Sequence, residues 1–271
     1  NNLQKTIEQY KFNIGKALDK IEQIESGQIV NATSNEKESE NRAVDHYNLR
    51  MDPAHPNVPT KSLSSSINLW NDINTKVSKI LSGETKNSGG ERFTDVIFNG
   101  IGGSYLGPLM LVIAMRGDRY NFDANNPQSI PIRLHFISNT DPDSFHILVN
   151  KKLNLRTTLL VNMSKSGGTA ETRGNMEAFN QLIQQEPYNI KDFGRHNIAI
   201  TTENSAFDKF AQKNQFLHVF HMYNETGGRT SIVSAIGMVP CAFAQLPFDQ
   251  FLRGQSHMDQ LTRESNVYNN P

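Results

Sequence analysis

Three short stretches carry residues whose types and spacing could do chemistry. The first is Ser164-Lys165-Ser166-Gly167-Gly168-Thr169-Ala170-Glu171-Thr172. Four hydroxyls, one ammonium and two glycines fall where a β-rich apolar run gives way to a helical pattern. Backbone N–H groups at a helix start, with the helix dipole behind them, favour an anion. Hydroxyls can donate to its oxygens, and Lys165 adds charge. A plainer account is an N-cap, with Thr169 or Ser166 capping and Glu171 or Thr172 in the first turn. One hydroxyl suffices for a cap, so the surplus points to phosphate binding.

The second stretch is Gly100-Ile101-Gly102-Gly103-Ser104-Tyr105-Leu106-Gly107-Pro108. Its glycines let the backbone turn sharply and approach a ligand closely. It is not a dinucleotide fingerprint, because Tyr105 stands where the third glycine belongs and no acidic residue follows at a suitable distance. No Gly-Lys-Ser/Thr follows either, so it is not a Walker A loop. A purely structural turn remains open. The third stretch is Glu225-Thr226-Gly227-Gly228-Arg229-Thr230-Ser231. Arg229 offers a permanent charge and a planar fork of donors, suited to phosphate or a developing oxyanion. A surface arginine paired to Glu225 at a helix start is the alternative. His218 and His221 stand three apart on one predicted strand, hence on opposite faces, and are not expected to share a metal. No HExxH, CxxC or acidic calcium loop occurs, and no metal is expected.

The elements that must position these loops show in the apolar pattern. β-rich runs occupy 93–100, 132–138, 157–164, 197–202 and 216–222, apolar on both sides as in strands buried on two faces. Helical patterns lie between them at about 105–117, 142–151, 170–185 and 205–214, with another from about 230 to 245. This alternation predicts an α/β fold, a parallel sheet with helices on both faces. Such sheets bind ligands at the carboxyl ends of their strands, where all three stretches fall. Upstream, Leu3, Ile7, Tyr10, Ile14, Leu18, Ile21 and Ile24 predict a helix over 3–26. A polar loop over 31–41, a proline-rich segment over 52–60 and a helix over 64–82 follow. Residues 83–90 read as a flexible connector and an internal boundary.

The composition excludes several classes. The 271 residues carry 27 basic and 27 acidic side chains, so no global field recruits nucleic acid or an acidic membrane. The single cysteine, Cys241, allows no intrachain disulfide and suits a reducing compartment. Its apolar neighbours suggest a small buried hydrophobe. No apolar run approaches the ~20 residues of a membrane span, and the N-terminus lacks a signal-peptide pattern. The sequence starts without methionine and stops at Asn269-Asn270-Pro271 just after a helical pattern, which suggests an incomplete chain. The sequons at Asn31, Asn162 and Asn224 mean little in a chain that looks cytosolic.

Taken together, GIGGSYLGPLM (100–110), FISNTDPD (136–143), MSKSGGTAETRGNM (163–176) and ETGGRTSIVSAIG (225–237) resemble the glucose-6-phosphate isomerase family, especially its cyanobacterial and plastid form. ENRAVDHYNLR (40–50) and FDQFLRGQSHMD (248–259) extend the likeness, which covers most of the chain from about residue 40. The resemblance implies a three-layer α/β/α sugar isomerase (SIS) domain at 91–245 with a five-stranded parallel sheet. It also implies an N-terminal helical extension at 1–90 and, at 246–271, the start of a connection to a second such domain. In that likeness Gly103 and Ser104 contact a sugar phosphate, and Ser164, Lys165, Ser166, Gly167, Gly168 and Thr169 wrap it. Ser164, Ser166, Thr169 and Thr172 bond the phosphate oxygens, and Arg229 lies near the sugar carbons as the catalytic residue.

The implied reaction opens the sugar ring and moves a proton between carbons one and two through a cis-enediol, with no cofactor. It serves glycolysis and gluconeogenesis in the cytoplasm, in a homodimer, with no nucleic acid or membrane partner. The family's proton-shuttling glutamate, its ring-opening histidine and a lysine near the carboxyl terminus belong to the second domain. Glu171, Glu225 and His257 do not stand in those motifs. A chain without the base is expected to bind weakly and be inactive alone. The alternative is a non-catalytic sugar-phosphate-binding module or sensor. Such a sensor would carry a DNA-binding or partner domain, and residues 1–90 show no recognition helix.

Overall fold

A computed structural model describes residues 2–30, 32–35, 39, 41–50, 60–121, 131–151, 153–264, 266 and 268–270. Five strands form one sheet: β1 (Asp95–Asn99), β2 (Arg133–Ile137), β3 (Thr158–Met163), β4 (Asn197–Thr202) and β5 (His218–Met222). Their order is β2-β1-β3-β4-β5, and every pairing is parallel. Every residue of β1 and β3 is buried, which explains their continuous apolar runs. The edge strands β2 and β5 are partly exposed. The chain steps outward from β1 to β2, then returns past β1 to β3 and continues the other way. The order therefore reverses between β1 and β3, the kind of switch point beside which such sheets bind ligands.

Helices cover both faces. Ile97, Leu160 and Ala199 pack with Val149 of α4 (Pro142–Lys151), with Met176, Phe179 and Ile183 of α5 (Ala170–Gln184), and with Phe207 and Ala211 of α6 (Ala206–Lys213). On the other face, Phe98 meets Phe136 and Phe243. Phe243 belongs to α7 (Ala235–Phe243), which packs on α3 (Gly103–Arg116). Fully burying each such side chain stabilises by about 1.5–3 kcal/mol. This is the five-stranded parallel α/β architecture the apolar runs predict. The helix expected at about 230–245 is split, with a 3₁₀ turn over Gly228–Val233 preceding α7. Ser234 causes the break: its backbone is extended, its hydroxyl donates to the Ser231 carbonyl at 2.6 Å, and it accepts from the Ile236 N–H at 3.3 Å.

Contacts divide the chain into two compact units. One comprises Asn1–Ser64, Glu225–Gly227 and Asp249–Pro271, the other Ser65–Asn224 and Gly228–Phe248. The unit holding the sheet begins at Ser65 and takes in most of α2 (Thr60–Ser82). Ile73, Val77 and Ile80 of α2 are buried, and that apolar face binds the helix to the unit. Residues 83–90 are not a loose connector. Asn87 is buried, accepts from the Gly89 and Glu91 N–H groups at 2.9 and 2.8 Å, and donates to the Arg156 carbonyl. The other unit contains α1 (Asn2–Glu25) and most of α8 (Phe248–Thr262). Asp259 in it accepts from both Arg50 and Arg263. Residues 52–59 of the proline-rich segment, and Asn31, lie outside the described residues. No described helix is long and apolar enough to cross a membrane.

Candidate functional site

β1 runs into the turn at Gly100–Gly102, and Gly102 holds a φ of 56°, where glycine is favoured. At Gly103 a methyl group would lie 1.7 Å from the Gly228 carbonyl oxygen and 3.1 Å from the Arg229 nitrogen. Only glycine fits there. This close approach sets Gly103 and Ser104 beside Gly228 and Arg229, whose side chain is exposed. Ser231 donates to the Gly228 carbonyl at 2.8 Å and steadies that loop. A methyl group at Gly100 would meet Ser104 and, at 3.1 Å, the end of Met163 from β3.

β3 runs into Ser164, which is 4% exposed. Its hydroxyl accepts from the Gly167 N–H at 3.1 Å and donates to Thr169 Oγ1 at 3.4 Å. Ser166 Oγ accepts from the Gly168 N–H at 3.2 Å. Gly167 turns through a φ of 76°, and a methyl group there would strike Phe207 at 2.4 Å. Thr169 occupies the N-cap position of α5, yet its side chain makes no capping bond. The cap account therefore does not describe Thr169. Thr172, in the first turn, is 3% exposed, and its hydroxyl has no partner. A buried hydroxyl without a partner is costly in an apolar interior.

Ser164, Gly167, Thr169 and Thr172 share a cavity of about 340 Å³ with Arg173, Met176, Glu177, Ala206, Phe207 and Phe210. Lys165, Ser166 and Gly168 do not line it. Lys165 Nζ donates to the Asn224 carbonyl, and the Lys165 carbonyl accepts from the Thr202 N–H and the Thr201 hydroxyl at 2.9 and 3.0 Å. Gly103, Ser104 and Arg229 stand outside that lining, at the exit of the neighbouring strand β1. Four of the ten expected site residues thus meet in one cavity.

Asparagines at the strand ends escaped the sequence reading. Asn99 donates to the Thr172 carbonyl at 2.7 Å and Asn175 to the Asn139 carbonyl at 2.9 Å. An asparagine directly before a glycine loop, inside an otherwise apolar strand, was the available signal. His221 faces the buried Asp208 at 3.0 Å. Burial alone would raise the Asp208 carboxyl, but bonds from His221, Asn204 and Gln212 outweigh it and hold the carboxyl below the usual range. Burial, then Lys76, pushes His218 down to about 4. Burial pushes the Cys241 thiol up to about 12, which makes it an unreactive packing residue. Among the described residues no three His, Cys, Asp or Glu side chains form a group that could hold a metal ion.

Strand reversal, glycine turns and hydroxyl-bearing helix starts at the carboxyl ends define an open α/β domain of the ligand-binding, doubly wound class. The sequence model of the family described as phosphoglucose isomerase matches residues 3–271. A glucose-6-phosphate isomerase of Prochlorococcus marinus (strain NATL2A) is 39% identical over 259 residues, 94% of this chain and 45% of that protein. The chloroplastic glucose-6-phosphate isomerase 1 of Arabidopsis thaliana is 36% identical over 258 residues, 94% of this chain and 39% of that one. The crystal structure of a glucose-6-phosphate isomerase from Chlamydia trachomatis D/UW-3/Cx superposes with a TM-score of 0.72 at 28% identity, covering 97% of this chain and 46% of that chain. The chain belongs to the phosphoglucose isomerase family. It spans less than half the length of these relatives.

Proposed function

We propose that this chain supplies the phosphosugar-holding part of an isomerase that interconverts glucose 6-phosphate and fructose 6-phosphate. The observation that carries this reading is Thr172: a buried hydroxyl with no partner, in the first turn of α5, sharing a cavity with Ser164 and Thr169. Hydroxyls and N–H groups at a helix start are suited to a dianionic phosphate. Lys165, Ser166, Gly167 and Gly168 complete the wrap in the liganded state, with Gly103 and Ser104 at the sugar side.

The reaction moves a proton between carbons one and two of the opened sugar, and charge develops on oxygen in the enediol. Arg229, exposed beside Gly103, would stabilise that charge more than the ground state. No general base is assigned to Glu171, Glu225 or His257. The base, the ring-opening acid and the remaining contacts would come from the rest of a longer polypeptide and its dimer partner in the cytoplasm. The share of each relative that this chain spans supports that division. The reaction needs no cofactor and belongs to glycolysis and gluconeogenesis.

Calorimetric titration of this chain tests the reading. Fructose 6-phosphate should bind weakly but measurably, and fructose should not. Equal binding of the two would remove phosphate from the site. Turnover by this chain near that of a complete isomerase would refute the assignment of the base to another segment.

A further inference from the structure

Five buried asparagines form one directional chain of side-chain hydrogen bonds across the sheet. Asn175 of α5 donates to Asn99 of β1 at 3.2 Å, Asn99 to Asn162 of β3 at 2.9 Å, Asn162 to Asn197 of β4 at 2.9 Å, and Asn197 to Asn180 of α5 at 2.8 Å. Asn99, Asn162 and Asn197 are fully buried, and Asn175 and Asn180 nearly so. Three further bonds anchor the chain to backbone. Asn99 donates to the Thr172 carbonyl at 2.7 Å, Asn175 to the Asn139 carbonyl at 2.9 Å, and Asn197 to the Phe193 carbonyl at 2.9 Å. Both ends of the ladder therefore land on α5, one at residues 172 and 175, the other at 180.

We propose that this ladder positions the first turn of α5 on the sheet, and with it the cavity-lining hydroxyl of Thr172. The proposal rests on the phosphate reading given above. Met176, Phe179 and Ile183 pack the same helix onto the sheet. Apolar contact is non-directional and tolerates sliding, whereas hydrogen bonds demand a narrow distance and angle. A satisfied buried network rigidifies one arrangement, because every alternative leaves amides unpaired. Asn99 is the junction, since it alone joins the ladder to the Thr172 carbonyl. Asn99 does not line the cavity and bonds Thr172 at its backbone carbonyl, so it acts as a positioning residue.

Three variants of the complete enzyme test this: Asn99→Ser, Asn175→Ala and Asn180→Ala. The first two cut the ladder beside Thr172, and the third cuts it at the far end. Asn175→Ala leaves the strands untouched, so it remains informative should Asn99→Ser fail to fold. Expected for the near-end variants is a rise in KM for the sugar phosphate of about tenfold with kcat within about twofold, and for Asn180→Ala a KM within about twofold at a comparable loss of thermal stability. Hydrogen exchange without ligand should quicken at amides 170–173 in the near-end variants only. Equal KM shifts and equal exchange at both ends would overturn the proposal and reduce the ladder to packing. A wild-type protein that binds no phosphosugar would sink the functional reading instead, while the exchange comparison would still decide whether the ladder fixes the turn.

Discussion

The two ends of the sheet are built on opposite terms. At the amino end of β1 and its neighbours, the buried charge is saturated. The fully buried Asp95 carboxylate accepts from Arg133 Nε and Nη2 at 2.8 Å each, from His135 at 2.9 Å and from Thr94 at 2.8 Å. His196, also fully buried, places Nδ1 3.0 Å from the Thr158 carbonyl. At the carboxyl end, the hydroxyls of Thr172 and Thr202 are buried without partners, and Arg229 is exposed. The contrast separates two uses of polarity: one end spends its donors and acceptors on the folded state, and the other leaves hydroxyls unspent, as the proposed phosphate site requires.

Substitutions at the two ends should therefore fail in different ways. The largest effect belongs to the amino end. Asp95→Ala strips four bonds from one carboxylate and should lower unfolding free energy by about 2–4 kcal/mol. Denaturant titration measures that loss, and ligand affinity of the protein that remains folded should hold. A selective loss of affinity would erase the division of labour between the edges.

At the carboxyl end, Arg229→Lys keeps the charge but loses the fork. In the complete enzyme turnover should fall about tenfold or more, with a smaller change in substrate affinity. Equal losses in kcat and affinity would assign Arg229 to ground-state binding. Next comes Thr172→Val, which removes a hydroxyl that has no partner in the folded chain. Phosphosugar affinity should drop by about 1–3 kcal/mol, while thermal stability stays level or rises. A loss of stability instead would mean that the hydroxyl serves the fold.

The smallest expected effect is a pH slope. Burial lowers the His196 pKa, outweighing the bond to Thr158. The unfolded chain then takes up its proton first, so stability is full above the ordinary histidine value of about 6.5 and declines as pH falls below it. Asp95 adds a second, more acidic loss. Burial alone would raise it, but His135, Arg133 and Thr94 together hold it down. Its contribution persists above about pH 4 and fades as pH drops further. His196→Gln should make the first slope shallower without abolishing it, because the half-buried His218 loses stability over the same range, and should leave the second slope, as read by thermal unfolding across pH.

Much of this was legible in the sequence because the inner strands are buried on two faces and their runs are mostly apolar. The three glycine-bearing loops were legible for a related reason: glycine and clustered hydroxyls are poor choices for anything but a tight turn or a ligand. The asparagine ladder was not, since each member looks like a lone polar intruder until the sheet brings Asn99, Asn162 and Asn197 side by side. The hold on residues 83–90 was hidden for the same reason. Asn87 reaches Arg156, 69 positions away, and no local pattern reports such a bond. The split at Ser234 is local, a serine capping inside an apolar pattern, and Gly237 allows it, since a methyl group there would sit 1.9 Å from the Ile232 carbonyl oxygen.

The approach of Gly103 to Gly228 has a mechanical meaning. With no side chain between them, the two peptide segments act as a rigid coupling rather than a cushion. A side chain at the first glycine would have to push aside the backbone that leads into the arginine after the second. A variant that widens this seam by one methyl group would therefore disturb the turn after β1 and the segment at Gly228 and Arg229 together.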